Sequence, residues 1–177
     1  MFHIYIDKFN WYDMKSIGIF YGSTTGVTAG IASKIASVMN VDYSDVHDVS
    51  ETDPSVLGGY DMLVLGTSTY GEGDLQDDWY DFISGAESLD LKDKKIALFG
   101  CGDESMTMSF CGAVGVIYSR MQTTGARFIG EFSAECYDFE ESDACHDGKM
   151  AVGLLLDEVN HTELTDERIS KWVETLK

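Results

Sequence analysis

Three short stretches of the chain hold residue types suited to binding chemistry. The first is Gly22-Ser23-Thr24-Thr25-Gly26-Val27-Thr28. It places four hydroxyls just ahead of a periodic apolar stretch, where a helix start leaves backbone N–H groups unpaired and presents the positive end of the helix dipole. The nearest cation, Lys34, lies beyond the first helical turn. A phosphate here would therefore be held by N–H and O–H groups and not by ion pairs. The loop lacks both the GK[ST] of nucleotide hydrolases and the GxGxxG of dinucleotide folds. A threonine-capped helix start with no ligand fits the same residues.

The second stretch is Gly66-Thr67-Ser68-Thr69-Tyr70-Gly71-Glu72-Gly73-Asp74-Leu75. An aromatic residue at a loop tip can stack on a flat heterocycle or simply cover the loop. Gly71 and Glu72 suit the centre of a tight turn, and glycine in the first position suits type II′. Because glycine accepts either sign of φ, the peptide between them can turn over at little cost. The third stretch is Gly100-Cys101-Gly102-Asp103-Glu104-Ser105-Met106. Its glycines would let a ligand approach the backbone, and its two carboxylates would set negative charge beside that ligand. An ordinary strand-to-helix turn fits it as well.

These stretches must be held by the elements between them. KSIGIFYGS (15–23), DMLVLGT (61–67) and KKIALFG (94–100) read as strands apolar on both faces, the pattern of a parallel sheet. VDYSDVHDV (41–49) is a weaker strand and ARFIGEFS (126–133) a fifth. Helices are expected over 26–39, with Val27, Ile31, Ile35 and Val38 on one face, over 75–87 around Trp79, Phe82 and Ile83, and over 108–124. The stretch 166–177 reads as a closing amphipathic helix through Ile169, Trp172, Val173 and Leu176. Alternating strands and helices imply an α/β sandwich of three layers, with ligands bound beyond the carboxyl ends of the strands. All three stretches follow strands.

Composition narrows the partners. Asp plus Glu number 31 against 12 Lys plus Arg, a formal charge of −19. That disfavours nucleic acid and anionic membrane surfaces and favours steered docking onto basic proteins, although solubility explains the same excess. No apolar run reaches membrane-spanning length. Cys101, Cys111, Cys136 and Cys145 form no CxxC pair, which points to a reducing cytoplasm and away from zinc. His3, His47, His146 and His161 lie outside the three stretches and read as surface or connector residues. Residues 1–14 stand apart as an N-terminal extension, expected to be loosely ordered, ahead of a single domain over 15–177.

Together the three loops resemble the flavodoxins. Ser23-Thr24-Thr25-Gly26-Val27-Thr28 matches the family's T/S-x-T-G-x-T loop, GTSTYGEGDL matches G-x-x-T-[aromatic]-x-x-G-x-L, and FGCGD (99–103) matches its ring-binding turn. The resemblance runs from Lys15 to Lys177. The segment between Phe132 and Gly153 resembles the insertion of long-chain members, and LDEVNHTELTDERISKWV resembles the cyanobacterial and cyanophage type. The resemblance implies a five-stranded parallel sheet of order 2-1-3-4-5, its last strand interrupted by the insertion. It also implies a monomer that binds FMN and carries single electrons at low potential, mainly between semiquinone and hydroquinone, with no catalytic residues and no metal. Ferredoxin–NADP reductase, photosystem I or ferredoxin-dependent reductases are the partners it implies.

By position, phosphate contacts fall on Ser23, Thr24, Thr25, Gly26, Val27 and Thr28, and ribityl and ring-edge contacts on Thr67, Ser68 and Thr69. Tyr70 would form one ring wall. The backbone of Cys101, Gly102 and Asp103 would meet the pyrimidine edge, and the Gly71–Glu72 peptide would turn over on reduction. Met106 stands where many members place a second aromatic. The competing readings are an NAD(P)H-dependent quinone or azo reductase on the same fold and a response-regulator-like module. The latter lacks its acidic cluster, since the first strand ends in Tyr21-Gly22-Ser23.

Overall fold

Side chains alternate across each strand, so a run that is apolar throughout must be covered on both sides. The computed structural model describes residues 16–147 and 149–177, and in it this requirement sets the architecture. The expected extension over 1–14 lies outside the described residues. Strands β1 (Ile17–Gly22), β2 (Val46–Asp48), β3 (Met62–Tyr70) and β5 (Lys95–Gly102) run parallel in the order β2-β1-β3-β5. Two short strands share the last position. β6 (Arg127–Ile129) pairs with the start of β5, and β10 (Leu154–Asp157) with its end. This is the order 2-1-3-4-5 with its fifth strand broken in two.

Helices α1 (Val27–Met39) and α4 (Thr165–Thr175) cover one face, packing on Ile19, Met62, Val64, Ala97, Phe99, Leu154 and Leu156. Helices α2 (Asp78–Ala86) and α3 (Gly112–Met121) cover the other, over Phe20, Leu63, Leu65, Ile96, Leu98 and Leu155. The two core sets are alternate residues of the same strands.

Between the halves of the broken strand lies a small antiparallel sheet of β7 (Phe132–Ser133), β8 (Cys145–Asp147) and β9 (Met150–Ala151), in the order β7-β9-β8. It is not a loose appendage. Ala134, Tyr137, Phe139, Ala144, Ala151 and Val152 are buried in the main core, and the Phe110 ring lies 5.0 Å from Tyr137 and 4.9 Å from Phe139. Arg168 of α4 ties the segment down, donating to Ser133 O at 2.7 Å and to Leu155 O at 3.3 Å.

Three sequence expectations need correction. The buried face of α1 is Thr28, Ile31, Ala32, Ile35, Ala36 and Met39, while Val27 and Val38 are exposed. Starting the apolar stripe at Val27 rotated it, because the small residues Ala32 and Ala36 take the inner positions. The helix expected over 108–124 begins only at Gly112. Residues 106–111 form successive turns, and Cys111 takes a left-handed φ of 51° that the helical ladder cannot include. The weak second strand is Val46–Asp48, since Tyr43–Asp45 is a 3-10 turn capped by Asp42.

Candidate functional site

The strand register brings the three loops side by side. Gly22, Thr67 and Gly100 are successive partners across β1, β3 and β5, and Ser68 pairs with Cys101 one residue further on. The stretches expected to bind therefore leave the same edge of the sheet in neighbouring positions.

At the first loop, Gly26 caps α1 with φ 89°, a conformation that disfavours any residue with a Cβ, and its N–H donates to Ser23 Oγ at 3.2 Å. The first turn of α1 carries no acidic side chain. Thr24, Thr25 and Gly26 are exposed, and Thr28 is fully buried. Lys34, the nearest cation in sequence, is engaged elsewhere, paired with Asp166 at 2.7 Å. An anion at this loop meets amide and hydroxyl donors.

At the second, β3 turns back into β4 (Asp74–Leu75) as a hairpin. Gly73 N–H donates to Tyr70 O at 3.1 Å. Gly71 has φ 51°, while Glu72 is absent from the residues with positive φ, the sign pattern of a type II′ turn. Tyr70 is 38% exposed beside it. Thr69 Oγ1 accepts from Ala113 N–H at 3.4 Å, joining the hairpin to α3.

At the third, β5 runs on to Gly102. Asp103 then accepts from Ser105 N–H at 2.9 Å and from the Ser105 hydroxyl at 2.6 Å, bonds that hold its carboxyl below the usual carboxylate range. Burial pushes the Cys101 thiol up to about 12. The nearby Thr28 hydroxyl acts in the opposite direction. An open pocket of about 460 Å³ separates the second and third loops, lined by Glu72, Met106, Thr107, Met108 and Ser109.

Among the described residues, the buried side-chain oxygens or nitrogens without a hydrogen-bond partner are Thr28 Oγ1 and Ser68 Oγ. Leaving a hydroxyl buried and unpaired costs about 1–3 kcal/mol. Thr28 lies in the first turn of α1, directly after the first loop, and Ser68 near the end of β3, in register with Cys101, so both unpaired hydroxyls sit at the edge of the sheet where the three loops leave it.

The flavodoxin family model matches residues 19–172. The chain belongs to the flavodoxin family. It is 42% identical over 161 residues to Flavodoxin 1 of Salmonella typhimurium, covering 90% of this chain and 92% of that one. It is 38% identical over 164 residues to a flavodoxin of Nostoc sp. strain PCC 7120, covering 92% and 96%. The Fusobacterium nucleatum flavodoxin, solved with flavin mononucleotide bound, superposes with a TM-score of 0.84 at 31% identity, covering 92% of this chain and 97% of that one. The interrupted fifth strand is what the long-chain type requires.

As a flavodoxin the chain has supports that loop motifs did not reveal. Gln76 is buried and bridges Thr24 Oγ1 at 3.2 Å and Asp78 Oδ2 at 2.6 Å, bracing the first loop from the second. Trp79 Nε1 donates to Gly66 O at 2.9 Å. Asp157, Asn160 and His161 hold the third loop from behind. His161, expected to be a bystander, places Nε2 2.7 Å from Glu104 Oε1. No local pattern could flag them, because their partners lie 52 to 57 residues away in sequence for Gln76–Thr24 and His161–Glu104.

Proposed function

We propose that this flavodoxin is a low-potential, one-electron carrier that works through non-covalently held FMN and docks onto basic-surfaced redox proteins. It is an electron-transfer protein and not an enzyme. Bound FMN supplies the chemistry, since its isoalloxazine ring accepts electrons one at a time. The observation that carries this reading is the pair of buried, unpartnered hydroxyls at Thr28, opening α1, and Ser68, near the end of β3, with no cation in the first loop.

The residues divide the work. Ser23, Thr24, Thr25, Gly26, Val27 and Thr28 cradle the phosphate through amides and hydroxyls. Thr67, Ser68 and Thr69 meet the ribityl chain and ring edge. Tyr70 and Met106 wall the ring, and the backbone of Cys101, Gly102 and Asp103 meets its pyrimidine edge. The thioether of Met106 packs on a ring face without the aromatic–aromatic gain of about 0.5–1.5 kcal/mol. The Gly71–Glu72 peptide can offer either its N–H or its C=O to the ring, because Gly71 tolerates either backbone hand.

Glu72, Asp74, Asp103 and Glu104 surround the ring seat with negative charge. They oppose a second added electron, each 1.4 kcal/mol of repulsion lowering a one-electron potential by about 59 mV. The second potential is therefore strongly negative and is the working one. Ferredoxin–NADP reductase and photosystem I or ferredoxin-dependent reductases are the partners whose basic faces suit this surface. The four free cysteines suit a reducing cytoplasm.

The test is an FMN titration of the apoprotein followed by stepwise anaerobic reduction. We expect one FMN per chain, two resolved one-electron steps, and no reduction by NADPH until a reductase is added. Refusal of FMN, or direct reduction by NADPH, would overturn the reading.

A further inference from the structure

The third loop is held by a cluster that the loop motifs do not include. β10 ends at Asp157, in register with Gly102. The Asp157 carboxylate is fully buried and accepts four hydrogen bonds. Oδ1 takes Val159 N–H at 2.8 Å and Asn160 N–H at 2.9 Å, and Oδ2 takes Glu104 N–H at 3.1 Å and Asn160 Nδ2 at 2.8 Å. Asn160 Nδ2 also reaches Asp103 Oδ1 at 3.0 Å. His161 then grips the Glu104 side chain, with Nε2 2.7 Å from Oε1, while the other Glu104 oxygen accepts Asp138 N–H of the inserted segment at 2.8 Å. Glu104 is thus the junction of the third loop, the insertion and the turn after β10.

We propose that His161 is a positioning residue for the flavin site: its ring clasps Glu104, fixes the Asp103–Glu104 turn and, when protonated, cancels one negative charge beside the flavin. This rests on the FMN reading above. The His161 ring is faced by Glu104 from the third loop, Glu163 from its own turn with Oε1 3.1 Å from Nδ1, and the Tyr137 ring at 5.9 Å from the insertion, while its backbone N–H donates to Asp157 O at 3.2 Å. The cation Arg168 lies behind that tyrosine, 4.9 Å from its ring centre. The Glu104 bond, followed by the Glu163 bond, raises the imidazole pKa above its ordinary value. Only the protonated ring has two N–H donors, so it alone can bond both carboxylates, and deprotonation must release one of them. Raising the pH through this titration removes the positive charge beside Glu104 and leaves one N–H for which Glu104 and Glu163 compete.

The experiment compares FMN-loaded wild type with H161Q, whose amide nitrogen can still donate to Glu104 but never carries charge. The midpoint of the second one-electron step is measured from pH 5.5 to 8.5. At the acid end, wild type should favour the fully reduced flavin over H161Q by roughly two- to fivefold, or about 20–40 mV at 59 mV per tenfold. The two curves should merge at the alkaline end. An NMR titration of His161 should show a lower pKa in E104Q than in wild type. Curves that coincide or stay parallel across the range, or an unmoved His161 titration in E104Q, would overturn the clasp while FMN binding stands. Wild type that cannot hold FMN would overturn the clasp together with the reading beneath it.

Discussion

Thr28 carries the cost of a hydroxyl buried without a partner. That oxygen lies in the first turn of α1, where the side chain is fully buried. Replacing it with valine keeps the shape and removes the unpaired oxygen. We expect Thr28→Val to stabilise the apoprotein by about 1 kcal/mol in urea unfolding and to weaken FMN binding by about tenfold, the loss of one charge-assisted hydrogen bond. Equal stability with unchanged affinity would remove Thr28 from the site. The loop was legible because hydroxyls before a helix are local chemistry. The burial of Thr28 was not, because it depends on which face of α1 turns inward, and the short side chains of Ala32 and Ala36 settle that.

Elements set the strain and support of the loops. The hairpin turn needs Gly71 at φ 51°, and a Cβ there would stand 2.9 Å from Asp74 Oδ2. Gly71→Ala should therefore hinder the peptide from turning over and narrow the gap between the two reduction potentials, measured by spectroelectrochemistry. An unchanged gap would exclude the peptide from redox control. The turn after β10 depends on Asp157. Burial pushes this carboxyl up, but the bonds from Asn160, Glu104 and Val159 outweigh it, and the folded pKa lies below the usual 3.8. A depressed carboxylate stabilises the fold above the unfolded pKa and loses that contribution as pH falls through the folded one. Asp157→Asn should cost on the order of 3 kcal/mol at pH 7 by denaturant unfolding, with the difference from wild type shrinking at the acid end. The turn type at Gly71 could be read from the sequence because two adjacent residues determine it. The Asp157 cluster could not, because it joins Glu104 to a residue 53 positions away.

At the scale of the molecule, charge is the dominant feature. The formal charge is −19. The exposed ion pairs of Lys34, Lys92, Lys171 and Lys177 engage Asp166, Asp90, Glu167 and Glu174, all outside the three loops. Such pairs contribute at most about 1 kcal/mol each, so their role in stability is minor. The long-range field remains. Raising ionic strength from about 0.05 M to about 0.5 M should slow association with a basic reductase by roughly tenfold or more in stopped flow, because the Debye length contracts. A salt-independent rate would show that docking relies on apolar contact instead.

While the break in the last strand came only from the family resemblance, the amino-acid sequence by itself determined the alternation of strands and helices, the hydroxyl-rich first loop and the acidic character. Each depends on neighbours within a few residues or on a plain sum over the chain. Only the tertiary structure decided that Gly22, Thr67 and Gly100 lie abreast, that Thr28 and Ser68 are buried without partners, and that His161 reaches Glu104. Those facts follow from sheet register and helix rotation. Both are set by packing between segments far apart in the chain, where no local spacing carries the information.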